Sequence, residues 1–307
     1  MNRKIKLIVN PAAGSQTVSK KWPNLKQTLH NIIGEVAADF TTQMGDATQL
    51  ARRAIFDGYE TIVAVGGDGT INEVINGFFE NGRLLNPAAC LGIFSMGTGD
   101  DLVRSLATPK KLEDAAGRIH DQRVKKCDLG RLSCVGRDDR PMSRYFVNIA
   151  DAGFGAKVAE MVSQSTKALG VSFAYLAGVL RTMAVYKNQS IQIQVDETSA
   201  REGPVSSVVV ANGQYFGGGM WVAPQARIDD GLFDVVIIGD LRRREIVANI
   251  HKIYNGKLVD HPKVTCLRGK QIKLNSSSEV RIEADGEQAG KLPATFEILP
   301  SVINIIC

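Results

Sequence analysis

The sequence of 307 residues has no run near the roughly 18 apolar residues that a membrane-crossing helix needs. Its most apolar stretches, Val208–Ala211 and Val235–Ile238, are of a length suited to buried strands. Cysteine is sparse and scattered: Cys90, Cys127, Cys134, Cys266 and Cys307 are odd in number and lack C-x-x-C spacing, so they read as reduced thiols rather than a disulfide framework. Histidine is scarcer still, and His30, His120, His251 and His261 nowhere take the spacing of a zinc site. Aromatic residues, 6% of the chain, do not interleave with Lys20-Lys21, Lys110-Lys111, Lys125-Lys126 or Arg242-Arg243-Arg244. None of these clusters is long enough for a nucleic-acid arm, and no nucleic-acid partner is expected. The charged start, Met1-Asn2-Arg3-Lys4, passes directly into an apolar strand without a secretory pattern, so a cytoplasmic location is expected.

What remains is the composition of an ordinary globular protein, 44% apolar and 22% charged with 30 glycines. The length favours two domains over one. The net charge of +5 leaves two readings open, attraction to an anionic membrane surface and a merely solvated basic face.

Periodicity divides the chain. Strands are expected at Lys4–Val9, Val36–Thr42, Thr61–Val65 and Cys90–Phe94, alternating with helices around Leu25–Ile33, at Asp46–Phe56, at Ile71–Phe79 and after Gly97–Asp101. That alternation predicts an α/β domain, a doubly wound, mostly parallel sheet, over residues 1–123. From Val124 the chain turns strand-rich: Val124–Leu132, Tyr145–Ile149, Ile191–Val195, Val205–Ala211, Phe233–Ile238, Ile272–Leu274, Val280–Ala284 and Thr295–Leu299. An antiparallel β-sandwich with inserted helices is expected over 124–307. One inserted helix falls at about Ala156–Val185, broken near Gly170, and another at Arg242–Tyr254. The destination of the last strand, Val302–Ile306, stays open between the two domains.

Three turns carry chemistry. Gly66-Gly67-Asp68-Gly69-Thr70 follows a buried strand and opens a helix, where bare backbone N–H groups face an anion. It matches neither the dinucleotide nor the P-loop fingerprint. Asn10-Pro11-Ala12-Ala13-Gly14 ends the first strand and Gly97-Thr98-Gly99-Asp100-Asp101 the fourth. In a parallel sheet all three would line one crevice at the carboxyl ends of the strands. Asp68 beside phosphates calls for an intervening divalent cation, so Mg2+-nucleotide is inferred. Elsewhere, Asp285-Gly286-Glu287 reads on its own as a hairpin turn. Arg227-Ile228-Asp229-Asp230-Gly231-Leu232 offers the hard oxygen ligands of Mg2+ or Ca2+, with an unoccupied acidic turn as the alternative.

Taken together, Asn10–Gly14, the run Gly66-Gly67-Asp68-Gly69-Thr70-Ile71-Asn72-Glu73-Val74-Ile75-Asn76-Gly77 and Gly97–Asp101 resemble the diacylglycerol kinase catalytic domain family. The likeness continues through Cys127-Asp128-Leu129-Gly130, Asn148–Gly155, Asn212–Gly219 and Pro224–Asp234, and is strongest to its soluble bacterial lipid kinases. The resemblance implies an ATP-dependent lipid kinase with nucleotide between its lobes, passing the γ-phosphoryl group to a hydroxyl of a diacylglycerol-like lipid. It places nucleotide contacts at Asn10, Gly14, Thr41, Gly66, Gly67, Asp68, Gly69, Thr70, Asn72, Glu73 and Thr98. It makes Glu287 the general base, with Asp285 nearby and Asp68 at the phosphates. It also implies a second, structural cation, Mg2+ or Ca2+, held by the Asp230 side chain and the main-chain carbonyls of Arg227 and Leu232. The expected partners are a lipid substrate at a membrane surface, reached by peripheral association, and a homodimer stays open.

Two departures stand out. Ser15-Gln16 replaces the Lys or Arg that often follows the first turn, and Asp100 replaces an amide by a carboxylate, which adds a metal ligand or repels phosphate. Two other readings compete. An NAD kinase also carries a Gly-Gly-Asp-Gly turn with a nearby Asn-Glu pair, and a non-catalytic nucleotide- or lipid-binding regulator could keep the fold without turnover.

Overall fold

Runs of β-branched residues without polar alternation form strands covered on both faces. In the computed structural model, which describes residues 4–163, 182 and 186–307, such runs build the first of two units, Met1–Leu129 with Pro300–Cys307. The second unit is Gly130–Leu299. In chain order the first holds β1 (Ile5–Val9), α1 (Ala13–Ile33), β2 (Ala37–Phe40), α2 (Asp46–Phe56), β3 (Thr61–Gly66) and α3 (Asp68–Gly77). A small hairpin of β4 (Phe79–Glu80) and β5 (Arg83–Leu84) leads to β6 (Cys90–Ser95), α4 (Asp101–Ser105) and α5 (Leu112–Asp121).

The sheet order is β2-β1-β3-β6, all parallel. Leu7, Val9, Val63 and Val65 pack with Val18 and Leu29 of α1 and with Ala115, Ala116 and Ile119 of α5. Side chains alternate along a strand, so Ile8, Ile62 and Ala64 point the other way, and α2 and α3, packed on each other, contact β1 and β3. Parallel pairing aligns the carboxyl ends of β1, β2, β3 and β6 at one edge of the sheet. That alignment brings the chemistry-bearing turns together.

The second unit takes up β7 (Val124–Val135) partway along, then β8 (Pro141–Phe146), β9 (Ile149–Gly153), α6 (Phe154–Ser163), β10 (Gln189–Val195) and β11 (Arg201–Ala211). There follow a hairpin of β12 (Tyr215–Phe216) and β13 (Met220–Trp221), then β14 (Phe233–Gly239), α7 (Arg243–Tyr254), β15 (Val264–Gly269), β16 (Gln271–Asn275), β17 (Arg281–Ala284) and β18 (Glu287–Ile306). The strands run antiparallel to their neighbours, in the order β15-β14-β11-β10-β16-β18. On one side β11 meets β14, and on the other it meets β10 early and β9 late, with a register shift between Val205 and Ser207. Val208 and Val210 feed one core, where Phe146 stacks on Phe233 at 5.7 Å. Val209 and Ala211 feed another with Val222, Ala223 and Leu258. β18 ends in the first unit, where Asn304 and Ile305 pair in parallel with Cys90 and Leu91 of β6.

The strand expected over Tyr145–Ile149 is two strands, because Val147 and Asn148 donate their N–H groups to Asp285 instead of a ladder. β15 was not expected from the sequence. Leu169, Phe173, Tyr175, Leu176, Leu180 and Met183, on the helix expected through Val185, lie outside the described residues. Among the described residues no helix is long and apolar enough to cross a membrane.

Candidate functional site

In the first unit the turns after β1, β3 and β6 are tied to one another. Asn10 donates from Nδ2 to Thr70 Oγ1 at 2.9 Å, and its Oδ1 accepts the Ala12 N–H at 3.0 Å, fixing the first turn against the first turn of α3. The Thr41 N–H reaches Val9 O at 2.9 Å, which sets Thr41, buried, beside the end of β1. Gly67 and Gly97 meet backbone to backbone: a Cβ on Gly97 would lie 2.7 Å from the Cα of Gly67. A Cβ on Gly66 would lie 2.5 Å from Thr70 Oγ1. The glycines therefore serve close packing of the turns as well as any approach by a ligand. Gly14, at φ +60°, sits within the first turn of α1, where an L side chain would be strained. Gly69 lies in the first turn of α3, and Thr98 in the turn after β6.

The carboxylates here already hold backbone. Asp68 accepts the Leu102 N–H at 3.3 Å, at the start of α4. Burial raises its pKa, and the nearby charge of Asp100 adds to the rise while hydrogen bonds from the α4 backbone oppose it. Its other oxygen faces Gly99, where a Cβ would stand 2.6 Å away. Glu73 accepts N–H groups from Gly45 at 3.0 Å and Ala47 at 3.1 Å, so it caps α2 from a neighbouring helix. Asn72 is fully buried and receives the Asn76 amide at 3.2 Å. Asp100, in the left-handed region at φ +55°, takes the Ser95 hydroxyl and an ion pair from Lys110 at 3.1 Å. Lys110 thus answers the charge that Asp100 adds to this turn.

In the second unit Asp285 and Gly286, at φ +49° and +84°, form the two-residue turn between β17 and β18. Positive φ at both centres suits the twist of a tight hairpin, which is why an Asp-Gly pair occupies it. The Asp285 carboxylate accepts three N–H groups, from Val147 at 2.9 Å, Asn148 at 3.0 Å and Ile149 at 3.1 Å. Glu287 stands just beyond the turn with Arg144 Nη2 at 3.2 Å from Oε2. Beneath them Glu283 is buried and accepts the Gly286 N–H at 2.8 Å. Burial, then Asp151 opposite it on β9, pushes the Glu283 pKa well up.

The remaining turn, Arg227–Leu232, is organised by Arg268. Its guanidinium binds Asp230 Oδ2 and reaches Asp234 at 3.3 Å, and Asp230 Oδ1 accepts the Leu232 N–H at 3.2 Å. Both Asp230 oxygens are engaged, one by a cation that belongs to the chain, so this donor set does not fit a divalent ion without displacing Arg268. Among the described residues no group of three or more His, Cys, Asp or Glu side chains is placed to hold a metal. The surroundings of Asp68 fit an ion carried by phosphates. Mg2+ commonly takes one or two protein carboxylates and fills the rest of its shell from phosphate and water, and one Asp68 oxygen stands against Gly99, which has no side chain to crowd it.

Arg144, Asp151 and Glu283 were not singled out from the sequence. Arg144 sits in a strand of mixed polarity, and the two acids reveal themselves only by their burial across paired strands.

Comparison with known proteins matches residues 4–132 to the diacylglycerol kinase catalytic domain, and residues 148–307 to the YegS C-terminal NAD kinase beta sandwich-like domain. The chain is 30% identical to a diacylglycerol kinase of Staphylococcus epidermidis over 99% of this chain and 92% of that protein. It is 29% identical to the Staphylococcus saprophyticus diacylglycerol kinase, over 99% and 95%. A solved structure from Bacillus anthracis str. Sterne superposes with a TM-score of 0.78 at 26% identity, over 99% of this chain and 95% of that one. An Archaeoglobus fulgidus NAD kinase solved in complex with ATP shares the fold at a TM-score of 0.52 and 15% identity, over 99% and 93%. The two-part sequence match and the relatives along nearly its whole length place the chain in the diacylglycerol kinase family.

Proposed function

We propose that this protein is a lipid kinase that transfers the γ-phosphoryl group of ATP to a hydroxyl of a diacylglycerol-like lipid. The observation that carries the reading is the knot of turns at the carboxyl ends of β1, β3 and β6, where Asn10 locks onto Thr70 and Gly67 onto Gly97. That knot aims the N-terminus of α3 at the place where phosphates bind in an open parallel sheet. Relatives of similar length that carry the diacylglycerol kinase name, and an NAD kinase of the same fold solved with ATP, support the same reading.

In this reading Asn10, Gly14, Thr41, Gly66, Gly67, Gly69, Thr70, Asn72 and Thr98 shape the nucleotide site, and Glu73 holds α2 beside it. Mg2+ bound with the nucleotide supplies charge neutralisation on the phosphates, and Asp68 is the carboxylate that would hold it. Glu287 accepts the proton of the lipid hydroxyl, and Arg144 orients its carboxylate. Asp285, its oxygens filled by three N–H groups, positions the hairpin that presents Glu287. Phosphoryl transfer has little covalent chemistry for a protein to perform, so positioning and charge carry most of the acceleration.

The test is transfer of label from γ-labelled ATP with Mg2+ into diacylglycerol, monoacylglycerol, phosphatidylglycerol, ceramide, sphingosine and NAD. The expected result is label in one lipid, lost in Glu287→Ala while ATP binding persists. Label in NAD at comparable efficiency would overturn the choice of acceptor, and label in none with ATP still bound would favour a binding protein.

A further inference from the structure

An enzyme whose acceptor resides in a bilayer has to meet that surface, and one helix of the second unit carries the chemistry to do so. α7 has no buried residue, and three large apolar side chains stand out from it: Val247, Ile250 and Tyr254 are 57%, 39% and 52% exposed. At 3.6 residues per turn these positions fall within about 60° of one another around the helix. They form one stripe on the face opposite Asn249, while Ile253, partly buried, packs against the core.

Charge borders the stripe. Arg243 falls in the same sector, Arg244 and His251 flank it, and Arg242 and Lys252 add to the basic character of the helix and its cap. The one acid of α7, Glu245, is turned away: it accepts the Arg242 N–H at 2.7 Å and pairs with Lys263 at 2.9 Å. The lysine is the chief reason its carboxyl is held below the usual range. A short helix with an apolar stripe, arginines at its margin and its acid neutralised on the inner side matches an interfacial element that seats apolar side chains among acyl chains and cations among anionic headgroups.

We infer that α7 is the membrane-docking element of this protein, and that its partner is an anionic lipid surface. The choice of a bilayer as partner rests on the lipid-kinase reading, whereas the placement of the docking face rests on α7 alone. Cations give the anionic selectivity and the stripe gives the residence.

The test is co-sedimentation of the full chain, without ATP, with vesicles of phosphatidylcholine alone or mixed with phosphatidylglycerol. Wild type binds the mixed vesicles in preference, and added salt weakens that binding. Arg242→Gln with Arg244→Gln lowers the affinity about fivefold per charge. Val247→Ser, Ile250→Ser and Tyr254→Ser combined lower it on the order of tenfold or more, with an unchanged unfolding midpoint as the control for folding. Equal vesicle binding by wild type and both variants overturns the inference. So does a wild-type dimer that the serine variant converts to monomer with vesicle binding intact, since a second copy would then be what covers the stripe. Transfer to lipid dispersed in detergent separates the two readings. Turnover there with α7-independent vesicle binding rejects the docking face alone, while α7-dependent binding without turnover on any lipid rejects the kinase alone.

Discussion

Asp151 gives the sharpest quantitative test of the second unit. It is 1% exposed on β9, opposite Glu283 of β17, and accepts the Ser207 hydroxyl at 2.6 Å and the Ala156 N–H at 2.9 Å. Those bonds favour its charged form, yet burial outweighs them and raises its pKa from 3.8 to about 6. In the unfolded chain the group releases its proton near its ordinary value, and in the folded chain about 2 pH units later. The folded state therefore binds more protons in between, so the contribution is full below about pH 4 and is lost as pH rises through about 6. At ~1.4 kcal/mol per unit, the loss is ~3 kcal/mol. Asp151→Asn removes the titration while keeping the shape and one carbonyl acceptor for Ser207 or Ala156. Denaturant unfolding of both proteins at pH 4.5, 5.5, 6.5 and 7.5 measures the difference, because carboxylates distant from Asp151 cancel, and Glu283→Gln in both backgrounds removes the one that faces it. The variant gains on wild type by ~2 kcal/mol from the lowest pH to the highest, since part of the ~3 kcal/mol is already lost below pH 4.5. Parallel curves would refute the reasoning, since Asp151 would then cross that range without a change of proton binding on folding.

Three further perturbations test the first unit and the acidic turn. Gly97→Ala places a Cβ 2.7 Å from the Gly67 Cα, where no flexible side chain can yield. Denaturant unfolding should show a loss of about 1–3 kcal/mol, with weaker ATP binding by calorimetry, and a loss below about 0.5 kcal/mol would mean that the two turns do not touch. Glu73→Ala strips the cap from the N-terminus of α2 and should cost ~1 kcal/mol by the same measurement. If Arg268 is the counter-ion of Asp230, a chelator leaves the melting temperature unchanged and Arg268→Met lowers it. A fall on chelation would instead reveal a bound cation there.

The fold was legible where burial is uniform. β1, β3 and β6 are short, largely apolar runs buried over most of their length, and their alternation with amphipathic helices pointed to a parallel sheet. Legibility failed at edges and at irregular strands. β15 pairs with β14 alone within the sheet order, and five of its six residues, Val264 to Arg268, leave at least part of their surface to solvent without regular alternation. β18 is continuous over twenty residues yet contains Pro293 and Pro300, which cannot donate to a ladder, so the sequence read as separate strands. The break between β8 and β9 is set by Asp285, some 140 residues away, through bonds that no local pattern announces.

The candidate site was legible as residue types more than as roles, because the same atoms answer two demands. A glycine-rich turn that opens a helix suggests a phosphate cradle, yet Gly66, Gly67, Gly97 and Gly99 are each hemmed in by Thr70, by one another or by Asp68. Even a turn that bound no ligand would need them. Acids behave alike: Asp68, Glu73 and Asp285 read as catalytic or binding groups, and in the folded chain each holds N–H groups that a helix start or a strand break leaves without a partner. Their presence alone cannot separate an active kinase from a protein that keeps the fold without turnover. Glu287 differs, since its carboxylate meets the Arg144 side chain rather than main chain, and Glu287→Gln keeps a hydrogen bond to that arginine while removing the capacity to accept a proton. Loss of phosphoryl transfer in that variant at unchanged stability is therefore chemistry, whereas loss in Asp285→Asn mixes chemistry with the collapse of a turn.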